Sequence, residues 1–123
     1  MNVVDASAWL AYLANDRNAD FFAPAIEATG QLVVPTISIY EVFKRVLQQR
    51  GERDALQAVA LLQQGRVVDL SSTLAIEAAR ISSVLKLPVA DSIMLTTARA
   101  FDAVLWTQDA DFEGLDGVRY ARP

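Results

Sequence analysis

The 123-residue sequence contains no cysteine and no histidine. Without cysteine there are no disulfides and no zinc–thiolate sites, which fits a reducing, cytoplasmic setting. Without histidine, Ser-His-Asp and Cys-His nucleophilic catalysis are excluded, as are imidazole-ligated metals. A catalytic site must then rest on carboxylates, hydroxyls, arginine, lysine or a metal held by oxygen. No apolar run approaches the ~18 residues of a membrane span, and the N-terminus opens into a strand without a basic region, so neither a membrane segment nor a signal peptide is expected. Lysine is scarce: of eleven basic residues only Lys44 and Lys86 are lysine. The net charge of −4 argues against duplex binding driven by bulk charge.

The sequence does contain enough apolar material, 53%, for a globular core in one domain spanning 1–123. Short apolar strands are expected at residues 2–4, 32–34, 66–69 and 103–106, with an edge strand at 118–120. Between them the spacing predicts helices. Ser7 is a candidate N-cap for a helix over residues 8–14. A helix over 19–29 has Pro24 as its weak point and Gly30 as its stop. Residues from Thr36 to Arg50 and from Glu52 to Gln64 form a helical hairpin broken at Gly51. Ser71 or Ser72 caps a helix reaching about Lys86, and a further helix covers about 90–100. Alternating strands and helices imply βαβ units and a mainly parallel sheet.

Four acids stand at strand ends or helix starts: Asp5, Glu41, Asp91 and Asp109. Each also has a structural explanation. Asp5 suits an Asx-turn or a helix cap. Glu41 completes a capping box Ser38-Ile39-Tyr40-Glu41, with Ile37 and Val42 as a hydrophobic staple. Asp91 suits a helix N-terminus. Asp109 is an ordinary turn residue, and Asp111 can cap the turn into Phe112. The constellation says more than any member. In a parallel sheet those termini share one edge, and ligands bind there at a topological switch point. Two carboxylates ~5 Å apart repel by roughly 3 kcal/mol at an effective dielectric of 20. Four together require protonation or a cation, and oxygen ligands select Mg²⁺ or Mn²⁺. Such ions suit phosphodiester chemistry, where they activate water and neutralise charge on phosphate and leaving oxygen.

The segments Val3-Val4-Asp5-Ala6-Ser7, Ile39-Tyr40-Glu41-Val42, Val89-Ala90-Asp91-Ser92 and Trp106-Thr107-Gln108-Asp109-Ala110-Asp111-Phe112 together resemble a PIN-domain ribonuclease, most of all the VapC-type toxins of type II toxin–antitoxin pairs. The resemblance covers essentially the whole chain. It implies an α/β/α three-layer sandwich with a parallel five-stranded sheet of order 3-2-1-4-5. It also implies that Asp5, Glu41, Asp91 and Asp109 are a catalytic, metal-binding tetrad for Mg²⁺ or Mn²⁺. Ser7 and Thr107 fill the family's accessory polar places, and Asp111 is a possible fifth acid. Where relatives often carry an apolar residue after the helix-borne aspartate, this chain has Ser92.

The implied activity is a metal-dependent endoribonuclease leaving a 5′-phosphate and a 3′-hydroxyl. The 2′-OH is not the nucleophile, so RNA preference must come from groove shape and 2′-OH contacts. Lys44, Arg45, Arg50 and Arg53 are candidate phosphate contacts, or simply a solvated face. The implied partner is a small antitoxin whose C-terminal segment crosses the acidic groove with a basic side chain. Many relatives are homodimers; Leu56, Val59, Leu61 and Leu62 suit such an interface or ordinary core packing. A receiver domain lacks its late lysine here, and a haloacid-dehalogenase-type phosphatase lacks its second early aspartate, because Ser7 stands there. The remaining rival is a non-catalytic PIN-like binding or regulatory subunit.

Overall fold

The computed structural model describes residues 1–123. Five parallel strands, β1 (Asn2–Val4), β2 (Leu32–Pro35), β3 (Arg66–Val68), β4 (Val104–Thr107) and β5 (Val118–Tyr120), form one sheet of order β3-β2-β1-β4-β5. Six helices connect them: α1 (Ala6–Leu13), α2 (Ala19–Glu27), α3 (Thr36–Arg50), α4 (Glu52–Leu62), α5 (Ser72–Leu85) and α6 (Val89–Ala100). The order is the one the resemblance implies. It makes β1 and β4 neighbours, with Val4 opposite Trp106.

The strands are apolar on both faces because helices cover both. Alternation along each strand divides the side chains. Val4, Leu32, Val34 and Trp106 pack with Trp9, Phe22, Val42 and Leu62 from α1–α4. Val3, Val33 and Leu105 pack with Leu87, Met94 and Leu95 beside α5 and α6. The result is a three-layer sandwich. No helix is long and apolar enough to cross a membrane.

Several helix boundaries differ from the sequence expectation, each for a local reason. α1 begins at Ala6, so Ser7 lies inside the helix and is not its cap. α2 stops at Glu27, where Ala28 leaves helical dihedrals, and Gly30 falls in a 3-10 turn, Thr29–Gln31. Pro24 is accommodated within α2 at an exposed position. α3 begins at Thr36 after Pro35, which rules out the capping box: Glu41 is in the second turn, and the Ser38 hydroxyl donates to Met94 Sδ at 3.2 Å. Ser71, not Ser72, caps α5 by accepting from the Leu74 N–H at 3.1 Å. In the hairpin Leu62 is buried core, whereas Leu56 and Leu61 are exposed.

Gly65, at the turn into β3, lies so close to β2 that an added Cβ would stand 2.9 Å from both Leu32 Cγ and the Leu32 carbonyl oxygen. The backbone oxygen cannot yield without disturbing the β2 ladder. Gly65→Ala is expected to cost about 1–3 kcal/mol, the range for overpacking a tight site. A lower urea midpoint at unchanged m-value is the expected reading, and an unchanged midpoint contradicts the close approach.

Candidate metal centre

Asp5 leaves β1 at the sheet's C-terminal edge, and its N–H donates to the Trp106 carbonyl on β4 at 2.9 Å. The ladder therefore fixes Asp5 relative to the loop after β4. Asp5 holds the N-cap position of α1 but makes no side-chain capping bond. Its carboxylate turns inward, where Oδ2 accepts from the Ser7 hydroxyl at 2.8 Å and from the Thr107 hydroxyl at 2.9 Å. Thr107 is fully buried, and its oxygen also accepts from the Asp109 N–H at 2.9 Å. One hydroxyl thus ties the first acid to the backbone of the last. The Gln108 N–H meets the Ser7 hydroxyl at the long limit of 3.5 Å.

Asp109 caps the short 3-10 turn Ala110–Phe112: its Oδ1 accepts from the Asp111 N–H at 2.9 Å. Asp109, rather than Asp111, is the turn's cap. Asp91 lies in the first turn of α6 behind Pro88, which holds the cap position, so the capping explanation fails and only the dipole effect remains. Glu41 reaches the same place from α3. Asp5, Glu41, Asp91 and Asp109 all line one cleft of about 460 Å³, together with Ser7, Tyr40, Lys44, Arg45 and Gln48. Carboxylate oxygens of Asp91, Asp109 and Asp111 lie within 4.8 Å of one another. Asp111, ranked behind the others on sequence, thus stands beside two of them.

None of these acids forms an ion pair, although Lys44 and Arg45 line the same cleft. The chain's one ion pair, Arg80 with Glu77, lies elsewhere on the exposed side of α5. Burial pushes the Asp5 carboxyl above its ordinary value, helped by Asp109 and opposed by the Ser7 and Thr107 hydrogen bonds. Burial also raises Glu41, with added repulsion from Asp5 and Asp109. Asp91 is pushed up to about 7 by burial, by repulsion from Asp109, Asp5 and Asp111, and by a hydrogen bond with Asp111. An oxygen-only donor set with repelling, uncompensated carboxylates fits a hard divalent cation. Arg50 and Arg53 do not line this cleft; Arg50 borders an adjoining groove of about 610 Å³ between α1 and the α3–α4 hairpin. Sequence reasoning overlooked Tyr40 and Gln48 as cleft residues. The signal was available in helical spacing, since Tyr40, Lys44 and Gln48 recur every four residues beside Glu41.

A carboxyl whose folded pKa is raised binds its proton more tightly in the folded chain, so its contribution to stability falls as pH rises through the folded value. For Asp91 that window runs from its ordinary 3.8 to about 7. In EDTA, Asp91→Asn is expected to gain stability over the native chain as pH goes from about 5 to about 8, and Mn²⁺ should raise the native Tm more at the higher pH. Thermal melts check both. A difference between the two proteins that does not change with pH would show that Asp91 is not under this repulsion.

The chain matches the family model of the PIN domain over residues 3–118. No curated protein matches it. Among solved structures it is similar to a toxin–antitoxin complex from Klebsiella pneumoniae, at 21% identity and TM-score 0.83 over 100% of both chains. It is also similar to VapC20 of Mycobacterium tuberculosis, described as a sarcin-ricin loop cleaving toxin, at 17% identity and TM-score 0.79 over 100% of both chains. A third is the DNA-bound VapBC of Salmonella typhimurium, at 16% identity and TM-score 0.74 over 98% of this chain and 96% of that one. At these identities the three structures establish a shared fold. The family match spans nearly the whole chain and includes all four acids of the cleft, and the chain belongs to the PIN-domain family.

Proposed function

We propose that this chain is a Mg²⁺- or Mn²⁺-dependent endoribonuclease, the VapC-type toxin of a toxin–antitoxin pair, acting as a single PIN domain in the cytoplasm. The observation that carries the reading is the convergence of Asp5, Glu41, Asp91 and Asp109 on one cleft without a cationic partner. A cluster of raised pKa values in a cleft is more expensive than a fold needs and marks a functional site. The non-catalytic alternative leaves that expense without a purpose.

Asp5, Asp91, Asp109 and Glu41 would hold the ion. When bound, it supplies positive charge that makes a water nucleophilic near neutral pH and offsets charge building on the phosphate and the leaving oxygen. The chain's own contribution is placement. Ser7 and Thr107 both donate to Asp5 Oδ2, so Oδ1 is the oxygen left for an ion. The Asp111 N–H takes one lone pair of Asp109 Oδ1 and orients that carboxylate, with Oδ2 making no hydrogen bond within the chain. A carboxylate of this cluster that the ion does not engage, Glu41 or Asp91, would be placed to accept the proton given up by the attacking water. The water's oxygen bonds to phosphorus as the P–O3′ bond breaks, giving a 5′-phosphate and a 3′-hydroxyl.

The partners proposed are RNA, a small antitoxin and a second copy of the chain. The adjoining groove shares Ser7, Leu10 and Arg45 with the cleft, so a protein segment lying in it would reach the acids. A basic side chain there would meet the charge a cation otherwise meets. The exposed Leu56 and Leu61 of α4 suit a dimer contact.

Single-stranded RNA is expected to be cut in Mg²⁺, to remain intact in EDTA, and to be cut on the order of 100-fold or more slowly by Asp5→Asn. Cleavage that persists in both conditions would overturn the proposal. Thr107 gives a finer test. Thr107→Ser should keep most activity, because the hydroxyl bridge remains. Thr107→Val should lower kcat by about tenfold or more, since Asp5 and the Asp109 N–H each lose a partner. Equal rates for the two variants would remove the bridge from the mechanism.

A further inference from the structure

One wall of the cleft is a face of α3 on which Tyr40, Glu41, Lys44, Arg45 and Gln48 recur at helical spacing. Glu41 belongs to the acidic centre; its neighbours are not accounted for by that chemistry. Tyr40 is 58% exposed, the most solvent-accessible aromatic side chain among the large apolar residues at the surface. Phe21, the other exposed aromatic, is already engaged, edge-on to Phe22 and to Trp106 at 5.2 and 5.4 Å. Tyr40 has no such aromatic partner. Its one ring contact of this kind is Lys44, whose Nζ stands 5.7 Å from the ring centroid. An ammonium group covers one face of a ring and leaves the other to solvent. A ring left half bare at the rim of a phosphodiester-cutting cleft, with two cations following it on the same helix, is the combination by which proteins hold single strands: stacking for a base, charge for the backbone.

We propose that Tyr40 is a base-stacking platform, taking one unpaired base of a single-stranded RNA beside the phosphate to be cut, while Lys44 and Arg45 hold an adjacent phosphate. The proposal rests on the nuclease reading and adds the form of substrate it favours. A base in a duplex has its faces taken by its neighbours, so the platform selects unpaired segments such as loops and ends. Stacking is tolerant of base identity, so Tyr40 contributes affinity while sequence choice lies with other groups. Tyr40 is a binding residue, distinct from the acids that carry the reaction.

The test compares Tyr40, Tyr40→Ala and Tyr40→Phe, each also carrying Asp5→Asn so that RNA stays intact in Mg²⁺. The probe is a fluorescein-labelled riboadenosine dodecamer, and the reading is Kd by anisotropy. A second probe is the same strand with its bases removed. Tyr40→Ala should weaken binding of the first strand by about 5- to 100-fold, Tyr40→Phe should retain it, and the three proteins should bind the baseless strand alike. With Asp5 intact, Tyr40→Ala should raise KM on single-stranded RNA and leave kcat unchanged, the signature of uniform binding. Equal loss on both strands assigns Tyr40 an electrostatic or folding role and overturns the proposal. Unchanged RNA binding by Tyr40→Ala leaves the ring free for a protein partner, and also overturns it. If cleavage in Mg²⁺ persists in that case, the nuclease reading stands without the platform. If no variant binds or cuts RNA, both fall together.

Discussion

The structure depends on a repulsion that the chain does not resolve by itself. Carboxylates from β1, α3, α6 and the β4 loop are brought to one sheet edge, and no lysine or arginine pairs with any of them. The parallel ladder between β1 and β4 fixes Asp5 against Trp106, and the Thr107 hydroxyl then joins the Asp5 carboxylate to the Asp109 backbone. A hydroxyl suits this position because it donates to one group and accepts from another without adding charge. The cost of crowding is met by packing elsewhere, in two apolar layers that enclose β1 on both faces.

Lys44 and Arg45 line the cleft without pairing to its acids. That separation has a use. A cation that neutralised Glu41 or Asp91 would compete with any metal ion held there, whereas one at the rim leaves the acids open. The side chains of α3 divide the work by position: Val42 and Val46 enter the core, Glu41 faces the acids, and Tyr40, Lys44 and Arg45 border the opening.

Much of this is legible in the sequence because strand ends and helix starts are legible. The run Ala103 to Trp106 followed by Thr107 and Asp109 reads as a buried strand entering a polar loop, and the absence of histidine narrows the chemistry to oxygen ligands. What the sequence hides is the choice between neighbouring polar residues. Ser7 reads as a cap, yet it supports Asp5, because the preceding strand runs straight into α1 and leaves no room for a separate cap. Ser38 with Glu41 reads as a capping box, yet the helix already starts after Pro35, three residues before the cap position that pattern assigns to Ser38. Local pattern cannot rank these uses. The ranking comes from tertiary partners such as Met94 and Thr107, which lie 56 and 102 residues away along the chain.

The 102-residue span between Asp5 and its hydroxyl partner Thr107 also bears on time. β1 is made first but sits at the centre of the sheet, and one of its two neighbours, β4, is among the last segments to be synthesised. Domains form during synthesis only as their strands emerge from the ribosome. Until β4 emerges, Asp5 has neither its second ladder neighbour nor its hydroxyl, and Asp109 does not yet face it. A growing chain therefore lacks the assembled acidic cleft, which comes together only when translation of the domain is nearly over. Strand order acts here as a delay built into the fold.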